Sequence, residues 1–110
     1  MWDPAVGRAL SLIHEKPADA WTLERLSRET GLSRSSLHER FVHLIGQPPI
    51  QYLTQWRMQV AGSLLRDTSA KLVEVTLDVG YESEAAFSRA FKRVAGVSPG
   101  AWRKVKRGTS

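Results

Sequence analysis

Arg89, Lys92 and Arg93 fall within the run GYESEAAFSRAFKRVAGVSPGAW, Gly80 to Trp102. Residues three and four apart meet on one face of a helix, and cationic groups gathered there donate hydrogen bonds to an anion. At about 100° per residue, Phe87, Ala90, Phe91 and Val94 share one side of such a helix. Ala85, Ser88, Arg89 and Lys92 share the other, with Arg93 at its edge. The apolar side is expected to hold the helix to its own domain, and the basic side to face a polyanion. Arg89 is central on that side, and its planar fork matches the O6 and N7 acceptors of guanine. Lys92 and Arg93 lie further along, where phosphate oxygens are the expected acceptors. Ala85 is small enough for close approach to a thymine methyl group.

A second set of candidate groups lies about fifty residues earlier. If Leu37, Phe41 and Leu44 face inward, the free side presents Ser35, His38, Glu39 and Val42, with Arg34 near the start and Arg40 at the flank. Arg34 is expected at phosphate. Glu39 repels phosphate but accepts from cytosine N4, and His38 can donate or accept. An intrahelical pair of Glu39 with His43 or Arg40 is the alternative reading of that carboxylate. The first set therefore reads with neutral and acidic groups, and the second adds a basic grip.

The two sets sit in matching frames. Leu23, Leu26 and Gly31 recur 49 residues on as Leu72, Val75 and Gly80. Leu37, Phe41, Gly46 and Pro49 recur 50 residues on as Phe87, Phe91, Gly96 and Pro99, so the second turn holds one extra residue. In each copy a short helix ends at a glycine, a tight turn follows, and a capped longer helix begins. This is the helix-turn-helix pattern, and a matched repeat is a stronger signal than one copy. Such a unit braces its second helix and leaves one side free, and an α-helix fits the major groove of B-form DNA.

The remaining elements read as helices, with no sustained alternation that would mark strands. Asp3 caps a first helix with Pro4 at its first position; Val6, Ala9, Leu10 and Ile13 share a face, and Trp2 is placed to staple it. Thr22 and Ser33 are the expected caps of the second and third helices, and the sixth begins near Ser83. A long fourth helix runs from Pro49 to about Leu65, with a seam of Ile50, Leu53, Trp56, Val60, Ala61 and Leu64. Asp67 to Ala70 is a turn. A fifth helix carries Leu72, Val75 and Val79, and Ser98-Pro99 opens a seventh bearing Trp102. Trp21, Trp56 and Trp102 are expected in the core. The organisation is one all-α domain: 1–48 a first lobe, 49–66 a linker helix, 67–104 a second lobe, and 105–110 a basic, disordered tail.

Composition narrows the function. The 110 residues include 16 basic and 11 acidic ones, for a net charge of +5, which favours a polyanionic partner. No acidic residue follows Glu84, whereas Arg89, Lys92, Arg93, Arg103, Lys104, Lys106 and Arg107 do; a solvated basic tail is the plain reading of the last four. Cysteine is absent, which excludes disulfides, a thiol nucleophile and a cysteine zinc site. His14, His38 and His43 do not converge as metal ligands, so neither metal nor cofactor is expected. Ser88 has no His–Asp relay and the chain has no phosphate-binding glycine loop, so enzyme chemistry is not expected either. No apolar run approaches the ~18 residues of a membrane span, and the acidic start does not resemble a signal peptide; a cytoplasmic location is the expectation. The competing reading is a helix-turn-helix module that contacts other proteins without reading bases. RNA binding is a further rival, weakened by the lack of an aromatic stacking platform.

The run GYESEAAFSRAFKRVAGVSP, followed by an aromatic at Trp102, resembles the signature of the AraC/XylS-type transcription regulators. WTLERLSRETGLSRSSLHERF and QYLTQWRM are similar to that family's first half, so the resemblance covers about Asp3 to Trp102. It implies a seven-helix, homeodomain-like domain of two helix-turn-helix lobes on a linker helix, with both recognition helices in successive major grooves of double-stranded DNA. By position, base-reading residues are Ser35, His38 and Glu39, then Glu84, Ala85, Ser88 and Arg89. Phosphate contacts fall to Arg40, Arg57, Lys92 and Arg93. The stretch DPAVGRALSLIHEKPADAWTLERLS resembles members that carry a cupin-like sensor domain ahead of this one. A DNA-binding part without its sensor is favoured over a stand-alone short member, and RNA polymerase subunits are the expected protein partners. A fourth helix of about 17 residues spans about 25 Å against about 34 Å between successive grooves, so a bent, asymmetric site of roughly two turns is expected. Three positions depart from the pattern. Ala95 stands where an aromatic is usual, which implies looser packing; Thr76 replaces a common alanine; and Lys71 replaces a capping serine, a role Ser69 is expected to take.

Overall fold

The computed structural model describes residues 2–106. They form seven helices: α1 Pro4–Glu15, α2 Leu23–Thr30, α3 Arg34–Ile45, α4 Pro49–Asp67, α5 Leu72–Asp78, α6 Glu84–Ala95 and α7 Pro99–Lys106. No strand occurs among the described residues. The chain divides into two compact units, Met1–Thr54 and Gln55–Ser110, so α4 contributes to both.

In the first unit, Val6, Ala9 and Ile13 of α1 bury with Leu26, Leu37, Phe41 and Leu53. Asp3 Oδ1 accepts the Ala5 and Val6 amides at 3.0 and 3.3 Å, which fixes the start of α1. Trp2 lies over Gly7, four positions into the helix; a Cβ there would meet its ring at 2.3 Å. Trp21 is buried, its indole N–H donates to the Lys16 carbonyl at 2.8 Å, and the Arg25 guanidinium stacks 4.1 Å above its ring. Tyr52 meets Phe41 edge-on at 5.7 Å and its hydroxyl lies 2.6 Å from His14 Nε2.

The second unit buries Met58, Ala61 and Leu65 of α4 with Val75, Val79, Phe87, Ala90 and Phe91. Trp102 packs edge-on against Phe91 at 5.7 Å, and its indole N–H donates to the Gly62 carbonyl at 3.0 Å. The repeat seen in the sequence therefore extends further. Met58, Ala61 and Leu65 take the roles that Val6, Ala9 and Ile13 take in the first unit, and the Phe91–Trp102 contact matches Phe41–Tyr52.

Several expected core positions lie elsewhere. Leu44 and Val94, at matching places in α3 and α6, are exposed. They share the inward face near the ends of α3 and α6, but Leu44 borders an open groove beside Trp2 and Pro4, and Val94 one beside Gly62 and Trp102. Ile50 is exposed, Trp56, Val60 and Leu64 are half-buried, and the buried positions of α4 in the second unit are Met58, Ala61 and Leu65. One seam was expected along a helix that buries a different stripe in each unit. Ser69 does not cap α5; the Glu74 carboxylate accepts the Lys71 amide at 2.9 Å instead. Thr76 is buried, and its hydroxyl donates to the Leu72 carbonyl at 2.8 Å. Arg103 is no solvated tail residue: its guanidinium donates to the carbonyls of Leu65 and Ala70. Val105 and Lys106, expected in the tail, end α7, and residues 107–110 lie outside the described residues.

Candidate nucleic-acid interface

Two turns set the candidate helices. Gly31 ends α2 at φ 76°, a left-handed conformation that glycine adopts without a Cβ clash, and Ser33 then caps α3, its Oγ accepting the Ser36 amide at 3.1 Å. The Ser27 hydroxyl donates to the Leu32 carbonyl and ties the turn to α2. In the second unit Gly80 takes φ 88°, the Gly80 amide donates to the Leu77 carbonyl and the Tyr81 amide to the Thr76 carbonyl, both at 3.0 Å. That is a Schellman closure. Ser83 then caps α6 through the Ala86 amide at 3.1 Å. The extra residue lies between Gly80 and Ser83, where Tyr81 packs against Phe87 at 5.8 Å.

On α3 the structure brings Arg34, Ser35, His38 and Glu39 together around one depression of about 430 Å³. All four are exposed, and Glu39 forms no ion pair with Arg40 or His43. Leu23, which the sequence marks only as a member of the internal repeat, also lines this depression. Its place beside the Thr22 cap, close to the start of α3, was the available signal. On α6 Glu84, Ala85 and Arg89 are exposed and Ser88 is half-buried, while Phe87, Ala90 and Phe91 bury beneath them. Lys92 and Arg93 are exposed in its last turns.

Most of the described arginines are already engaged within the protein. Arg8 pairs with Glu29, Arg25 with Asp19, Arg28 with Glu24, and Arg66 with Asp67. Arg40 pairs with Asp3 at 3.4 Å, Arg57 lies over the Tyr81 ring at 5.8 Å, and Arg103 is held by carbonyls. Burial pushes the Arg57 guanidinium below the ordinary arginine value, partly offset by Tyr81. Among the described arginines, those left without a protein partner are Arg34, Arg89 and Arg93, all on α3 or α6. Charge follows the same division: residues 1–54 hold six basic and six acidic side chains, and residues 55–110 hold ten and five.

Comparison with known proteins adds to this geometry. A helix-turn-helix domain family matches residues 26–105. An AraC-like transcription regulator of Streptomyces antibioticus is 46% identical over 102 residues, which cover 93% of this chain and 34% of the relative. The HTH-type transcriptional regulator MtrA of Neisseria gonorrhoeae is 35% identical, with the same coverage. The chain thus spans about a third of the length of these curated relatives. Among solved structures, the C-terminal domain of AraT, a response regulator of Geobacillus stearothermophilus, is 33% identical with a TM-score of 0.90, over 94% of this chain and 86% of that one. The DNA-binding domain of AdpA in complex with a target DNA is 27% identical with a TM-score of 0.88, over 96% and 98% of the two chains.

Proposed function

The chain belongs to the AraC-type helix-turn-helix family of transcription regulators, and from that premise we propose that it binds double-stranded DNA sequence-specifically, with α3 and α6 as recognition helices in successive major grooves. The observation that carries the reading is that, among the described residues, the unpartnered arginines lie on those two helices. A guanidinium left unpaired on a braced helix is ready for an external acceptor without first breaking an internal bond. Ser35, His38, Glu39, Glu84, Ala85, Ser88 and Arg89 are proposed at base edges, and Arg34, Lys92 and Arg93 at phosphates. Arg40 and Arg57 already have protein partners and are assigned a lesser share of phosphate binding. Selection from a random duplex pool tests the reading. Enrichment of a two-part site of roughly two helical turns is expected, and a pool that stays random would refute base reading. Sensing of an inducer would fall to a separate domain of the kind the family resemblance implies.

A protein partner is proposed for the outer face of α5. Val73 and Leu77 are exposed there beside the exposed carboxylates of Glu74 and Asp78. The matching residues of α2 are instead ion-paired, Glu24 with Arg28 within the helix, Arg25 with Asp19 and Glu29 with Arg8. Carboxylates do not face phosphate favourably, so the apolar pair with its acidic border suits a basic and apolar protein surface, for which an RNA polymerase subunit is the expected source. Leu77→Asp should leave duplex affinity intact and lower activated transcription in a purified system; equal loss of both would point to a folding defect and remove the support.

A further inference from the structure

The second unit has a groove that the reading face of α6 does not enter. It measures about 480 Å³, within the range of small-molecule sites of about 300–1,000 Å³. Phe91, Val94, Ala95 and Trp102 supply its apolar surface, and Gln55, Gln59 and Ser63 of α4 its polar edge. The internal repeat accounts for the opening. Gly62 and Ala95 stand where the first unit has Leu10 and Ile45, so two branched side chains are missing from the same place. A Cβ at Gly62 would approach the Trp102 ring at 3.2 Å, so the ring would have to give by a few tenths of an ångström. Ala95 is half-buried at the edge of the second unit's core.

The lining also states what charge the occupant carries. The one ionised side chain on the groove is Arg66, and Asp67 already neutralises it through two bonds of 2.8 and 3.1 Å. The indole N–H of Trp102 is committed to the Gly62 carbonyl. What remains is an aromatic and aliphatic wall with the neutral amide of Gln59 and the hydroxyl of Ser63 along one side. Rings favour edge and offset contact with such walls, and neutral polar groups meet one donor or acceptor without the cost of desolvating a charge. We propose that this groove binds a neutral aromatic small molecule of one or two fused rings bearing a single polar group, independently of DNA.

Indole is the probe, and the whole chain is titrated with it while amide resonances are followed by NMR. Saturable shifts are expected at Ser63, Val94, Ala95 and the Trp102 indole N–H, with benzoate binding more weakly because its charge finds no free cation. Ala95→Phe fills the space and should abolish the shifts while duplex binding persists. Val94→Ser, at an exposed position, keeps the fold in any case and should weaken indole several-fold. Absence of saturable shifts up to the solubility of indole, or equal shifts in both variants, or tighter binding of benzoate, would each overturn the proposal.

Discussion

Arg89 is exposed, unpartnered and central on α6, and two variants separate its role from that of its neighbours. Arg89→Ala should cost about 1–3 kcal/mol on the selected site and relax specificity at one base pair. Lys92→Ala should weaken every duplex alike, because a phosphate contact carries no sequence information. Equilibrium binding to a panel of single-base variants distinguishes the two; uniform weakening by Arg89→Ala would move it to the phosphate class. These positions were legible because a capped helix with Phe87 and Phe91 inward leaves only one face to read. Partnership was not legible, since Arg40 and Arg57 look as available in the sequence as Arg34 until Asp3 and Tyr81 are placed beside them. Tyr52 gives a second prediction at this scale. Burial raises its phenol above the ordinary tyrosine value, so the folded first unit favours the neutral form. The associated stability is intact below the unfolded value of about 10 and is lost as pH rises through the higher folded value. In Tyr81→Phe, where Tyr52 is the remaining tyrosine, tyrosinate absorbance should appear later in an alkaline titration than in the unfolded chain.

The helix ends do as much as the faces, because a recognition helix reads only where its start is fixed. Ser83 Oγ satisfies the Ala86 amide at 3.1 Å, and Ser83→Ala should cost about 0.5–2 kcal/mol of stability. At α5 the roles are reversed. Lys71 has no side-chain acceptor, and Glu74 holds the Lys71 amide; Glu74→Ala should therefore destabilise and Lys71→Ala should be near neutral, as chemical denaturation would show. Equal effects would mean that the Glu74 bond contributes nothing. Caps and terminal glycines were legible because a serine, threonine or aspartate before an apolar period, and a glycine after it, act through local geometry alone. The seam of α4 was not, because its burial is set by two different sets of partners along one continuous helix. Leu44 and Val94 failed for a related reason: periodicity gives the face of a residue but not whether the neighbouring side chains close over it.

Across the whole molecule the excess of positive charge resides in residues 55–110, while residues 1–54 balance to zero. Four of the six basic side chains in the balanced unit, Arg8, Arg25, Arg28 and Arg40, are also paired internally. The second unit should therefore supply most of the phosphate attraction, and the first mostly discrimination through Ser35, His38 and Glu39. Salt separates these contributions, because each neutralised phosphate adds about −0.9 to the slope of log affinity against log salt. Lys92→Ala should make that slope shallower by about one such unit, whereas His38→Ala should leave the slope unchanged and reduce the preference for the selected site over random duplex. Scrambling one half of the site gives the same division from the DNA side. Loss of the half read by α3 should lower specificity at nearly constant salt dependence, and loss of the half read by α6 should reduce affinity more. If the two halves proved interchangeable in slope, the grip would be shared evenly and the charge division between the units would have no part in how the protein holds its site.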